Sequence, residues 1–187
     1  MSTIKVDTIQ TRTGTGNITA SNTIVQTEYM IDQWRLSQNT NNSTNGVIAS
    51  NWERVDTPAL LWSGIGTQMQ QTSGLFTFPR TGLYQVTFSA TVDIGADQTG
   101  IQFYITSTPD NGSNFANHTR TNIGSPTNSG GQAWQTNVFM QTLINVTNIS
   151  NYKVQFENAG FGSGTYIYGN SDLTYSGVMF ERKGPAQ

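Results

Sequence analysis

The sequence predicts an all-β protein, built as an antiparallel sandwich or barrel. Three observations carry that expectation. Apolar residues alternate with hydroxyl and amide residues along most of the chain, the period of a half-buried strand. Clusters of Gly, Asn, Ser and Pro interrupt these runs at the spacing of short connected strands. A sustained 3.6-residue period is nearly absent.

In chain order, Ile4, Val6 and Ile9 come first, followed by Thr-Arg-Thr-Gly-Thr-Gly-Asn and Ile18. They read as a short hairpin or extended arm with a glycine turn. Such a piece is not stable alone and must lie on its own domain, a sister subunit or another protein. Residues 1–23 are therefore expected to form an attachment arm, and residues 24–187 one domain. Glu28 to Leu36 reads as a strand, because Ile31 and Leu36 hold no helical period. Ser37–Asn45 is polar throughout and reads as a loop.

The clearest strand alternates Tyr84, Val86, Phe88, Ala90 and Val92 with Gln85, Thr87, Ser89 and Thr91. The phrase Phe78-Pro-Arg-Thr-Gly-Leu-Tyr84 launches it. Pro79 cannot donate a ladder hydrogen bond and Gly82 can take positive φ, so the phrase reads as a turn and not as a site. Ile101, Phe103 and Ile105 mark the next strand. Ser107–Gly131 is too long for an ordinary connection and reads as a functional or partner-ordered loop, the alternative being an exposed tip. Val138 with Met140, Ile144 with Val146, then Tyr152–Phe156, Tyr166–Tyr168 and Leu173–Phe180 complete the strands.

Composition narrows the function. Charged residues are 11% of the 187 positions, against about 25% in an ordinary domain. The surface is neutral and hydrogen-bonding, and a net charge of -2 gives nucleic acid or an anionic membrane no hold. Hydrophobic residues are 35%, which leaves a lone subunit a thin core that burial between subunits would supplement. The absence of cysteine excludes disulfides and thiolate metal sites. No apolar run reaches the ~18–20 residues of a membrane span, and the N-terminus lacks the pattern of a secretory signal. Synthesis in a cytoplasm and release by another route, such as lysis, are expected.

Catalytic chemistry finds little support. The single histidine, His118, has no cysteine partner and no carboxylate within six residues, so neither a triad nor a zinc site is suggested. Asp93 and Asp97 sit at a strand end, where they could offer oxygens to Ca²⁺ or serve a turn. Gly160, Gly162 and Gly164 lack the following Lys and helix of a phosphate loop. No cofactor is expected. Aromatic residues are 11%. Tyr104, Phe115, Trp134, Phe161, Tyr166 and Tyr168 fall on faces or loops expected to be exposed. With amides nearby they suit a carbohydrate surface or a subunit interface, the interface being preferred for most. Phe115, His118, Arg120 and Trp134 are the candidate ligand surface.

The residues Gly66-x-x-Met69-(x4)-Gly74-x-Phe76-x-x-Pro79-x-x-Gly82-x-Tyr84 resemble the central motif of the tumour necrosis factor/complement-q globular-domain superfamily. Leu173-Thr-Tyr-Ser-Gly-Val-Met-Phe180 resembles that superfamily's last strand, about ninety residues further on. Trp52 falls in the region of an early strand. The likeness covers roughly residues 25–183. Met69 stands where the family more often has Tyr or Phe, and the loops are richer in Asn and Ser, so no family ligand site is carried over. The resemblance implies a ten-stranded jelly-roll β-sandwich that assembles as a homotrimer. It places Tyr84, Phe88, Tyr175 and Gly177 in the core or near the three-fold axis.

The opening Ser2-Thr-Ile-Lys-Val-Asp-Thr-Ile-Gln10 is similar to the starts of structural proteins from tailed cyanophages. That likeness implies a virion protein whose arm binds other virion proteins. The leading expectation is a non-enzymatic tail-fibre adhesin presenting loops to host-surface glycan. The alternative is a trimeric capsid decoration protein. A glycan-degrading enzyme ranks last, because no spacing suggests the carboxylate pair glycosidases use.

Overall fold

A computed structural model describes residues 29–41, 45–56, 64–95, 98–125 and 134–187. The alternation seen in the sequence becomes fourteen strands: β1 (Met30–Leu36), β2 (Gln38–Thr40), β3 (Gly46–Val47), β4 (Trp52–Arg54), β5 (Gly64–Ile65), β6 (Gln70–Thr72), β7 (Leu75–Thr77), β8 (Gly82–Ile94), β9 (Ile101–Thr108), β10 (Ala116–Ile123), β11 (Trp134–Val146), β12 (Lys153–Ala159), β13 (Tyr166–Asn170) and β14 (Gly177–Gly184). Every pairing is antiparallel. The large sheet runs β2-β13-β8-β14-β1-β4, with β11 also on β8 and β5 on β1. The small sheet runs β10-β9-β12-β7-β6, with β3 on β12. The two sheets form a jelly-roll sandwich, as expected from the motif. Six of the fourteen strands have only two or three residues, which is why the count exceeds ten.

β8 is the spine of the large sheet. Its burial alternates at every residue from Gly82 to Val92. β11 pairs with it from Val146 opposite Gly82 to Trp134 opposite Ile94, so the two apolar pieces read from Val138 and Ile144 are one strand. The core lies between the sheets and is aromatic. Phe76 packs against Trp34, Trp52, Phe156 and Phe180, with ring centroids 5.2–5.7 Å apart. Phe88 stacks on Phe156 at 5.4 Å. Burying each ring contributes about 1.5–3 kcal/mol. Tyr84 and Phe88 are wholly inside this core.

The motif glycines and proline make turns, as expected. Ser73 and Gly74 join β6 to β7 with φ of 51° and 80°, the two positive angles of a tight hairpin turn. A Cβ on Gly74 would also sit 2.4 Å from the Ile48 carbonyl. Gly82 is needed for room: a Cβ there would meet Arg182 Nε, which donates to the Thr81 carbonyl at 3.0 Å. Tyr84 Oη closes the same turn by donating to the Arg80 carbonyl at 2.8 Å.

Three expectations are corrected. Ser107–Gly131 is not one loop: Ser107 and Thr108 finish β9, and β10 runs from Ala116 to Ile123 along it. Ser37–Asn45 contains β2, which pairs with β13. Phe161 is buried, edge-on to Phe103 at 5.7 Å, because the glycine turn folds it under the sandwich end. The arm residues Ile4, Val6, Ile9 and Ile18 lie outside the described residues, as does Asp97.

Candidate functional site

A strand pleat sends alternate residues to opposite faces. The inward residues of β8 fill the core, so Gln85, Thr87, Ser89, Thr91 and Asp93 define the outer face of the large sheet. Register brings neighbours onto that face. Phe139 lies opposite Ser89, and Leu143 opposite Gln85. On the other side of β8, Gly177 lies opposite Ser89 and Met179 opposite Thr87. Phe139 is 69% exposed and Leu143 56%, unusual for apolar residues on the middle of a strand. Beside them is a shallow depression of about 190 Å³, bordered by Gln33, Thr87, Ser89, Thr174, Gly177 and Met179. A side chain at Gly177 would collide with the Trp34 carbonyl at 2.4 Å.

The far end of the same face is a tyrosine cluster. Asp93 lies between Gln135 of β11 and Tyr166 of β13. Asp93 is only 6% exposed, and its Oδ2 accepts from Tyr168 Oη at 3.1 Å and Tyr166 Oη at 3.3 Å. The two phenol oxygens are 3.2 Å apart, and Gln135 Nε2 donates to Tyr168 Oη at 2.6 Å. The Tyr168 ring touches Tyr166 at 4.9 Å and Tyr175 at 5.8 Å between centroids. The Tyr168 phenol holds the Tyr166 hydroxyl well above the usual phenol range, with burial and the Asp93 charge adding to the effect. Tyr166 therefore keeps its phenol proton.

The other expected site residues fall elsewhere. Phe115 precedes β10 and is partly exposed. His118 sits at a β10 irregularity, with Nε2 2.6 Å from Ser107 Oγ. Although His118 is exposed, partial desolvation draws its pKa below the usual imidazole value. His118 and Arg120 border an open depression of about 310 Å³ with Asn117 and Thr119. Trp134 opens β11 and pairs with Ile94; the pleat turns it to the face opposite Gln135. Of the four residues, His118 and Arg120 share one depression, while Phe115 precedes β10 and Trp134 opens β11. Tyr175 and Gly177 do share the outer face of the large sheet, Tyr175 being 44% exposed. Among the described residues no three His, Cys, Asp or Glu side chains converge as a metal site needs, and Asp93 Oδ2 is already held by two phenols.

Sequence reasoning missed Phe139, Leu143 and the Asp93–tyrosine cluster. A signal existed for the first. Val138-Phe139-Met140 is apolar on both faces of one strand, the pattern of a strand covered on both sides. For the cluster, Tyr166, Tyr168 and Asp93 were each singled out, but not their meeting, because it joins residues more than seventy positions apart.

No protein-family model and no curated protein sequence matches this chain. Solved structures do. Eiger TNF from S. frugiperda superimposes with a TM-score of 0.58 at 12% identity, covering 86% of this chain and 96% of its own. Murine APRIL, solved at pH 8.5, superimposes with a TM-score of 0.52 at 8% identity, covering 82% of this chain and 98% of its own. The chain shares the tumour necrosis factor-like jelly-roll fold, and at such identities the likeness is one of fold alone.

Proposed function

We propose that this chain is a non-enzymatic virion structural module, a homotrimeric jelly roll of tail-fibre type. Residues 1–23 anchor it to other virion proteins, and the sandwich meets host-surface glycan. The observation that carries the assembly is the exposed Phe139–Leu143 stripe beside the Gly177 depression. Water would oppose leaving both rows bare on a sheet face. Phe139 stands on β11, which pairs only with β8 in the large sheet, while the depression lies across β8 and β14. A protruding ring and a receiving depression at different places make a head-to-tail contact, and such contacts close into a trimeric ring when each copy is rotated by a third of a turn. The virion setting rests on the likeness of residues 2–10 to phage structural proteins.

Light scattering on the full chain tests the assembly. Three times the chain mass is expected, falling toward one chain mass in Phe139→Glu/Leu143→Glu while circular dichroism stays unchanged. A wild-type monomer would overturn the trimer. Imaging of a virion carrying the protein tests the setting: a few trimers at the tail fit a fibre, and hundreds on the head shell fit a decoration protein. Absence of the protein from particles would overturn both.

A further inference from the structure

We infer that the tyrosine end of the large sheet's outer face, centred on Tyr175, Tyr168 and Gln135 over Asp93, is a binding site for a neutral saccharide. The inference rests on the adhesin reading above and moves its ligand surface from Phe115, His118, Arg120 and Trp134 to this cluster.

The site has the two chemistries a sugar ring requires. A pyranose offers a face of C–H groups and a rim of hydroxyls. Tyr175 is 44% exposed and lies against Tyr168, so it provides an aromatic face anchored from behind. Rings held in this way present area at low entropic cost. Beside it are groups that pair with hydroxyls. Gln135 is exposed and uses Nε2 on Tyr168, which leaves its carbonyl to accept. The Tyr166 and Tyr168 oxygens are fixed by Asp93 Oδ2, so their orientation is set before a ligand arrives. Preorganised polar groups lose little freedom on binding.

The geometry also selects against the main competitor. Tyrosines grouped around a carboxylate are the composition of a cage for a quaternary ammonium. A cage needs space between its rings. Here the centroids are 4.9 and 5.8 Å apart, so the rings touch one another and leave no room for a cation between them. Asp93 is 6% exposed and turned into its own phenols. What remains outward is ring face, phenol and amide, all uncharged.

The Tyr175 end of the site adjoins the Thr174–Gly177 rim of the depression, and its Gln135 end is set apart from the proposed Phe139 contact. Gln135 lies four residues along β11 from Phe139, about 13 Å at strand rise. Leu143 lies as far again beyond.

Saturation-transfer NMR on the full-length protein tests the site, using neutral hexasaccharides of glucose, mannose and galactose, and choline chloride as the cation probe. Transfer from at least one neutral hexasaccharide is expected. Its affinity should not change between low and high salt, because no charge is neutralised. Tyr175→Ala should weaken it by about tenfold or more, as loss of an aromatic anchor does. Gln135→Ala should weaken it less, and Phe115→Ala not at all. No transfer from any hexasaccharide, undiminished transfer with Tyr175→Ala, or transfer from choline lost in Tyr175→Ala would each overturn the site. Whole-cell binding separates the site from the wider reading. If host cells are bound equally by wild type and Tyr175→Ala, this site is wrong and the adhesin reading stands. If neither cells nor sugars are bound, both fall.

Discussion

The indole nitrogen of Trp34 donates to the carboxylate of Asp32 at 2.9 Å, two residues apart on the inward face of β1. Asp32 is fully buried, yet it is well supplied with partners. Its Oδ2 also accepts from the Met69 amide at 2.8 Å, and Arg54 Nε stands 3.4 Å from its Oδ1. Arg54 covers the Trp34 ring at 4.4 Å and donates to the Met69 carbonyl. One carboxylate thus ties β1 to β4 and to the segment before β6. Met69, where the family motif more often has an aromatic residue, contributes both its amide and its carbonyl to this knot.

Burial raises the Asp32 pKa above 3.8 despite these partners. The folded state therefore holds the proton more tightly than the unfolded chain between 3.8 and the raised value. Within that window this group makes stability rise as pH falls. The stability difference between wild type and Asp32→Asn should therefore shift toward wild type on acidification from pH 7 to 4. Urea unfolding across that range measures it, and a pH-independent difference would refute the assignment.

Phe76 is the hub of the core, touching two tryptophans and two phenylalanines. Phe76→Ala should cost about 3–5 kcal/mol. Phe139→Ala should change monomer stability by less than about 0.5 kcal/mol, because its ring is exposed. Denaturant midpoints of the two variants should separate widely.

The hairpin between β6 and β7 places Ser73 at φ 51°. Asn tolerates that region better than Ser, and Asn-Gly is the favoured pair for such a turn. Ser73→Asn should stabilise the protein by about 0.5 kcal/mol. Gly74→Ala should destabilise it by more than about 1 kcal/mol. Thermal melts of the two variants should move in opposite directions.

Partial desolvation holds His118 below its ordinary pKa of 6.5, and because the residue is exposed its effect on stability is small. The unfolded chain binds the proton more readily, so stability is lost as pH falls through 6.5 toward the folded value. His118→Gln should flatten that part of the pH profile. The imidazole shifts of the only histidine, followed by NMR, should titrate below 6.5.

The sequence revealed strands in proportion to how differently their two faces are solvated. β8 alternates between aromatic core and half-covered hydroxyls, so it was plain. β10 is an edge strand exposed along most of its length; no apolar face recurs in Asn117-His-Thr-Arg-Thr-Asn122, and it read as loop. β11 split in two because Thr142 interrupts its inward row between Met140 and Ile144. The tyrosine cluster stayed hidden for another reason. Its members are ordinary strand residues until register sets Asp93 between Gln135 and Tyr166.

The pairing of β1 with β14 has a consequence in time. Met30 lies opposite Arg182, and Gln33 opposite Met179. At a ribosome's roughly 5–20 residues per second, β1 emerges about 8–30 s before its partner across these 150 or so residues exists. Until then the edge of β1 that faces β14 is unpaired. The large sheet closes only when its last strand arrives, a step that non-local sheets complete in about milliseconds to seconds. The β1 edge therefore stays open for pairing until β14 has been made.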